Sequence, residues 1–421
     1  YVSLNSRLTR DTGCPKCGTT FMKTALLFAA LLLSMLHARA DSVGEALEVF
    51  VKEGHIAGAV TLVAKREQIL SMQAVGWQVL ETRRPMEQDS LFWIASMTKP
   101  VIALAILMLH DDGRLDIHDP VERYLPEFKG QMLLQEKSDD RVVLVKPARP
   151  VTIKDLLTHT SGIAGNANAE PGPADSRTPR ESAVICALTP LQFEPGSKWA
   201  YSNPGINTLG RIIEVVTGED LSKAMSNYVF RPLNMKSTTF VPTTKQIEQL
   251  AVSYKMDDEL RRIVPSGIPY LSEPYTSTKR QPFGAGGLFS TAEDLHKLCL
   301  MMVSGGEANR RKHLSKETLA LMFQNHTGDM KAGFVEGMGM GLGLQVVARP
   351  TGVTAKLSAG TAGHGGAHGT QMWFDPASGS IQIMLIQRAG LPNGDASPMR
   401  QAFHDAAAKV LQDAASLPLE N

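Results

Sequence analysis

Phe92-Trp93-Ile94-Ala95-Ser96-Met97-Thr98-Lys99-Pro100 runs straight into nine residues, Val101 to Leu109, of which every one is apolar. This stretch constrains the chain more than any other. A helix apolar on all sides must lie inside the protein, so other elements have to surround it. Pro100 sets where it begins, because proline is tolerated only in the first turn, where its missing donor would be unpaired anyway. The helix therefore starts near Ser96 or Met97 and ends near Asp111-Asp112-Gly113, with glycine as the stop. Residues three apart share a helix face, so the Lys99 amine can sit beside the Ser96 hydroxyl, at the positive end of the helix dipole. A serine with an amine at its elbow and backbone donors nearby outlines an acyl-transfer site. About one S-x-x-K arises by chance in a chain this long, and the alternative is a capped helix with an exposed lysine.

At 421 residues with a formal charge of +1, the chain can bury a large core and form two lobes. It carries no long basic run and few aromatics, which argues against a nucleic-acid surface. The first residue is Tyr1, and a translation start stands at Met22. Met22-Lys23, the apolar run Ala25 to Leu36 and Ala38-Arg39-Ala40 together predict a signal peptide cut before Asp41. Removing residues 1–40 takes away five basic residues and one acid, turning +1 into −3. The expectation is a secreted or periplasmic protein without a membrane span. Cys14 and Cys17 resemble half a zinc ribbon but precede Met22. Cys186 and Cys299 lie in apolar helical patterns and read as buried free thiols.

β-rich runs at Gly58 to Ala64 and Ile69 to Gly76, separated by the charged turn Lys65-Arg66-Glu67, predict strands after a helix at Ala46 to Lys52. The segment Met132 to Pro150 is charged and aperiodic and reads as a surface insertion. Thr152 caps a short helix to Leu157, with Asp155 at the position of a capping box. Gly165 to Arg180 is a loop, expected over the site. Helical patterns follow at Glu181–Leu188, Ile206–Val216, Leu221–Val229 and Lys245–Leu250. Gly284 to Gly287 bend into a helix capped by Ser290 or Thr291, and another helix lies near Leu319. Strands return at Leu342–Val347, Thr370–Phe374 and Ile381–Ile386, and Ser397-Pro398 opens a last helix. Strands at both ends and helices between them predict an α+β fold: one antiparallel sheet flanked by helices, with a helical lobe inserted. The sheet lobe is expected over about 41–90 and 270–421, the helical lobe over about 91–269.

Two more stretches can carry chemistry. Tyr201-Ser202-Asn203 lies between Pro195-Gly196 and Pro204-Gly205, which reads as a tight loop. A tyrosine beside an amine can shuttle protons; the alternative is a half-buried tyrosine with a turn asparagine. Gly363-His364-Gly365-Gly366-Ala367-His368-Gly369 enters a strand, and its glycines suggest close approach of a backbone or ligand. There the Ala367 amide can serve an oxyanion. Four residues of strand hold His364 and His368 about 13 Å apart, which argues against a metal pair. Ser161, in a Thr-Ser-Gly helix stop, reads as structural. No G-x-S-x-G, phosphate loop or dinucleotide fingerprint occurs, and no cofactor is expected.

S-x-x-K, then Y-x-N, then a glycine-rich H-x-G near a late strand form an ordered set. With Leu115–Phe128, Ile153–Gly162, Tyr228–Met235 and Gly286–Asp294, the chain resembles the serine β-lactamase and penicillin-binding-protein superfamily. The resemblance is to its class C-like branch, which includes family VIII carboxylesterases and D-amino-acid peptidases. It implies the β-lactamase/transpeptidase fold with the site in a cleft. It also implies Ser96 as acylated nucleophile, Lys99 as its proton acceptor and Tyr201 as proton carrier to the leaving group. Asn203 would orient substrate or Lys99, and the backbone donors of Ser96 and Ala367, beside Gly366, would bind the oxyanion. His364 stands where many β-lactamases carry the lysine of K-T-G. An ordinary histidine is mostly neutral at pH 7, so the wall loses a charge-assisted hydrogen bond worth about 1.5–3 kcal/mol to a carboxylate. The expectation is a carboxylesterase on small neutral acyl esters, with β-lactamase or D-alanyl peptidase as alternative and a non-catalytic binding protein as third reading.

Overall fold

The computed structural model describes residues 43–165 and 172–416. The expected signal peptide and the Cys14–Cys17 pair lie outside the described residues. Eight strands form one antiparallel sheet: β1 (Gly58–Lys65), β2 (Gln68–Val79), β3 (Arg84–Pro85), β4 (Met338–Met340), β5 (Gln345–Val347), β6 (Ala362–Gly365), β7 (Gln371–Asp375) and β8 (Ser380–Ile386). Their spatial order is β4-β5-β6-β7-β8-β1-β2-β3, so the two ends of the chain meet where β1 pairs with β8, Leu62 opposite Ile383.

The sheet has two apolar faces, because alternate residues of a strand point to opposite sides. Ala59 and Val63 of β1 join Met384 and Ile386 against α1 (residues 43–52) and the C-terminal helix Pro398–Ala415, through Val43, Leu47, Phe403 and Val410. Val60, Leu62 and Ala64 point the other way, into a larger core with Leu295, Leu298 and Met302 of the helix Ala292–Val303. In that core lies α2 (Thr98–Asp111), whose residues from Thr98 to Leu109 are all buried. A 3₁₀ turn, Ala95–Met97, leads into it, and Pro100 is its third residue. Two more helices matter to the site: α3 (Ile153–Leu157), closed by the Thr152–Asp155 capping box, and α4 (Asn203–Thr217). No helix among the described residues is long and apolar enough to cross a membrane.

Four local expectations need correction. Met132 to Pro150 contains a hairpin, Leu133–Lys137 paired with Val142–Val145, whose Val142 and Leu144 are exposed. With solvent on its outer face it shows no alternation of polarity to read. The strand expected over Leu342–Val347 is confined to Gln345–Val347, as β5: Gly343, at φ +75°, turns the chain between β4 and β5. Asn203 is the first residue of α4 and no loop residue; Ser202 caps that helix through the Gly205 amide at 3.1 Å, with Pro204 in the first turn. A serine cap followed by proline is a helix-start signal, and here it reads identically to a turn. His364 and His368 do not lie along one strand. His364 is in β6, the chain turns through residues 366–369, and β7 follows.

Candidate active site

The N-terminus of α2 is held against two other segments. Phe92 and Trp93 pair with Ser290 and Phe289, and Trp93 Nε1 donates to the Gly286 carbonyl at 2.7 Å. Ala95, at φ +47°, stands in the left-handed region that side chains disfavour. That backbone kink immediately precedes Ser96.

Two groups converge on Ser96 Oγ. Lys99 Nζ lies 2.9 Å from it and Tyr201 Oη also 2.9 Å. The exposed-lysine alternative is overturned: Lys99 is fully buried, and its amine donates to the Ala285 carbonyl at 2.5 Å. Ala285 is fixed in turn by its own amide, which donates to Asn207 Oδ1 at 2.9 Å. Asn203 makes no hydrogen bond to Lys99 among the described residues; Asn207, one turn along α4, bears on the amine through Ala285. Asn203 lines the cleft, and its buried Oδ1 has no partner.

Burial decides the protonation states. It holds the Lys99 amine well below its ordinary value, because removing an ammonium from water is costly. Burial raises Tyr201 above the usual phenol range, against the smaller lowering effect of its bond to Ser96. Burial thus disfavours charge on both the amine and the phenol. One consistent proton arrangement has Tyr201 donating to Ser96 Oγ, Ser96 donating to Lys99, and Lys99 donating to Ala285. The Lys99 nitrogen also lies 4.8 Å from the Tyr201 ring centroid, where the ring face favours an ammonium once one forms.

Sequence reasoning passed over His159. Its backbone sits at φ +58° in the stop after α3. Its Nδ1 accepts from the Ser202 amide at 3.1 Å, its carbonyl accepts from the Ala200 amide at 2.9 Å, and its ring packs on Tyr201 at 4.6 Å. It anchors the segment that carries Tyr201. A histidine inside Thr-His-Thr-Ser-Gly gives no sign of this role, since its partner lies some forty residues on. Ser161 is buried, and its Oγ accepts from the Ile163 amide at 3.2 Å, consistent with a structural role.

The turn after β6 completes the site. A Cβ on Gly366 would stand 2.1 Å from Thr370 Oγ1 and 2.7 Å from the Ile94 carbonyl, so only glycine lets this turn approach the Ser96 segment. The amides of Ser96 and Ala367 donate to no protein acceptor among the described residues. His364 is buried beside Tyr201, ring centroids 6.1 Å apart. Burial first, and the Lys99 amine second, push it down to about 3. Burial is the larger cause and persists when Lys99 is neutral, so His364 is uncharged at pH 7. His368 is lowered by burial to about 4 and bonds to Ser253 Oγ at 3.0 Å.

These groups border a cleft of about 740 Å³. Trp93, Tyr270, Phe283 and Phe334 supply apolar wall, and Gly172, Ala174 and Arg177 come from the loop expected over the site; residues 166–171 of that loop lie outside the described residues. The hairpin over 133–145 contributes nothing to the lining among the described residues. Among the described residues no His, Cys, Asp and Glu cluster is arranged to hold a metal ion.

Comparison with known proteins agrees with this architecture. A family model described as Beta-lactamase matches residues 43–406. Esterase EstB of Burkholderia gladioli is 32% identical over 397 residues, covering 88% of this chain and 95% of that one. Lovastatin esterase of Penicillium rubens is 28% identical over 66% of this chain and 71% of its own length. Among solved structures, EstCE1, described as a hydrolase with promiscuous acyltransferase activity, superposes with a TM-score of 0.74 at 26% identity, covering 89% of this chain and 98% of that one. On the match over residues 43–406 and the likeness to EstB along nearly its whole length, this chain belongs to the beta-lactamase family of hydrolases, among relatives that include esterases.

Proposed function

We propose that the protein is a carboxylesterase acting through a Ser96 acyl-enzyme on small acyl esters that carry no carboxylate. The observation that carries this reading is Ser96 Oγ at 2.9 Å from both the Tyr201 hydroxyl and a buried Lys99 amine whose proton affinity is lowered by desolvation. Lys99 takes the Ser96 proton as Oγ attacks the ester carbonyl, forming the C–O bond of a tetrahedral adduct. The Ser96 and Ala367 amides donate to the developing oxyanion. When the C–O bond to the alcohol breaks, the proton held on Lys99 reaches the leaving alkoxide by way of the Tyr201 hydroxyl. Water then attacks the acyl-enzyme with the same groups returning the proton to Ser96, releasing the acid.

The substrate class follows from the wall. A β-lactam or a D-alanyl peptide presents a carboxylate, and a cation at residue 364 would favour it. His364 is held neutral by burial, which supports the ester over those alternatives. The esterase names of the relatives point the same way. Hydrolysis of p-nitrophenyl butyrate measured against a chromogenic cephalosporin, with Ser96→Ala as control, tests it. Ester cleavage that disappears in the variant is expected. Cephalosporin turnover exceeding ester cleavage would overturn the substrate class, and failure of a serine-reactive phosphonate to label Ser96 would overturn the mechanism.

A further inference from the structure

Among the described side chains that line the cleft, Arg177 and Asp395 bear the formal charges. Arg177 stands on the mouth segment with Gly172 and Ala174 and is already engaged with a neighbour. Asp395 comes from the turn before the C-terminal helix and reaches the wall beside β6. Its backbone is fixed: its amide donates to Asn393 Oδ1 at 3.0 Å, and its carbonyl accepts from Arg400 Nη1 at 2.7 Å. The protein donors to its carboxylate all reach Oδ1, Gln371 Nε2 at 3.2 Å and Arg400 Nη1 at 3.4 Å. Oδ2 receives none among the described residues, and the side chain is 10% exposed. Arg400 lies behind the wall, fully buried over the Trp373 ring at 4.3 Å, and so positions Oδ1 without facing the cleft.

The carboxylate also replaces something. A Cβ on Gly365 would stand 2.2 Å from Asp395 Oδ1, so Asp395 fills the space beside β6 that a side chain at 365 would take. Its neighbours on the wall are acceptors too. His364 Nδ1 lies 2.6 Å from the Gly365 carbonyl. A carbonyl only accepts, so Nδ1 carries the proton and Nε2 is a bare acceptor, buried and without a partner. Asn203 Oδ1 is a second buried acceptor without a donor. Unpaired acceptors of this kind are costly unless a ligand supplies the donor.

We infer that the wall formed by Asp395, His364 and Asn203 is a subsite for a hydrogen-bond-donating group of the ester, an ammonium above all, and that it excludes carboxylates. The inference rests on the esterase reading and refines it: the acyl ester is the reacting group, and a cationic or hydroxyl substituent nearby is what the wall selects. A hydrogen bond between charged partners supplies about tenfold or more over an apolar isostere.

The test uses para-substituted phenyl butyrates and the matching phenyl-ring acyl esters, so that the substituent sits on either side of the scissile bond. The substituents are aminomethyl, hydroxymethyl, ethyl and carboxymethyl, which differ little in size. In one of the two series kcat/KM should fall in that order, with the ammonium at least about tenfold above ethyl. In Asp395→Asn the ammonium-to-ethyl ratio should drop toward one. As a measurement on the unaltered protein, benzylammonium should inhibit butyrate hydrolysis at lower concentration than benzyl alcohol, and phenylacetate least. A flat order, a carboxylate preference, or an ammonium ratio unchanged in Asp395→Asn would each overturn the subsite while leaving the esterase standing. Absence of turnover with every ester would remove the esterase reading and the subsite with it.

Discussion

Two regions border the same cleft and are built on opposite principles. In the Ser96 corner the reacting side chains are partnered: Lys99 has Ser96 and Ala285, Tyr201 has Ser96, and Ala285 has Asn207. Burial works against charge there, lowering the amine and raising the phenol. The wall at β6 is the reverse. His364 Nε2 and Asn203 Oδ1 are buried without partners, and Asp395 Oδ2 takes no protein donor among the described residues. A satisfied, preorganised network suits a reaction common to all substrates; unsatisfied acceptors suit selection among them. Substitutions in the corner should thus lower the rate for every ester alike, and substitutions in the wall should change ratios between esters.

The largest effects belong to the corner. Ser96→Ala should cost at least about ten-thousandfold in kcat for every ester. Lys99→Met should cost about a thousandfold, since no other base touches Ser96 Oγ among the described residues. It should also abolish the pH dependence that the amine imposes. Only the neutral amine accepts a proton, so activity should rise with pH through the Lys99 value, which lies well below the ordinary lysine range, and should already be high near neutrality. A kcat profile that instead rises only above pH 10 would show the amine to be ordinary and the corner misread. Tyr201→Phe keeps the ring on His159 and removes the hydroxyl, and should cost about a hundredfold. Gly366→Ala tests the seam between the two regions. Its Cβ would displace the Ile94 carbonyl or Thr370, pulling the Ala367 amide off line, and about tenfold to a hundredfold should be lost in kcat with a smaller change in KM. A Gly366→Ala variant with full activity would separate the turn from the chemistry.

The sequence revealed these regions unequally, for physical reasons. Ser96 and Lys99 are legible because helical spacing makes neighbours of residues three apart, and the apolar run makes the helix certain. The sheet built from both ends was legible from β-rich runs at 58–76 and 370–386. Lys99's second partner was not, because Ala285 and Asn207 lie on segments that only the folded chain brings together. Asp395 was equally silent: in Asn393-Gly394-Asp395 it reads as a turn residue, and its meaning comes from Gly365, thirty residues earlier. β6 itself was overlooked because Ala-Gly-His-Gly has no strand-forming side chains; its pairing with β5 and β7 is imposed by the sheet around it. Such residues are read from tertiary contacts or not at all.

The smallest predicted effect compares the regions through stability. His364 is lowered to about 3 in the folded protein, whereas the unfolded chain titrates near 6.5. Between those values the unfolded state binds the proton and the folded state does not, so falling pH favours unfolding. The stability contribution is full above pH 6.5 and is lost progressively toward pH 3, by up to about 1.4 kcal/mol per pH unit. His159 and His404, lowered by burial, and His368, lowered to about 4, act with the same sign. The Tm should therefore fall from pH 7.5 to 5.5, before carboxylates titrate. His364→Gln removes one of these groups and keeps an acceptor in its place. It should reduce the acid-induced drop in Tm by about two degrees while leaving Ser96 labelling by a phosphonate intact. An unchanged slope would mean that His364 takes up its proton without unfolding the wall, and with that proton the wall would turn from acceptor to donor and lose its reason to refuse carboxylates.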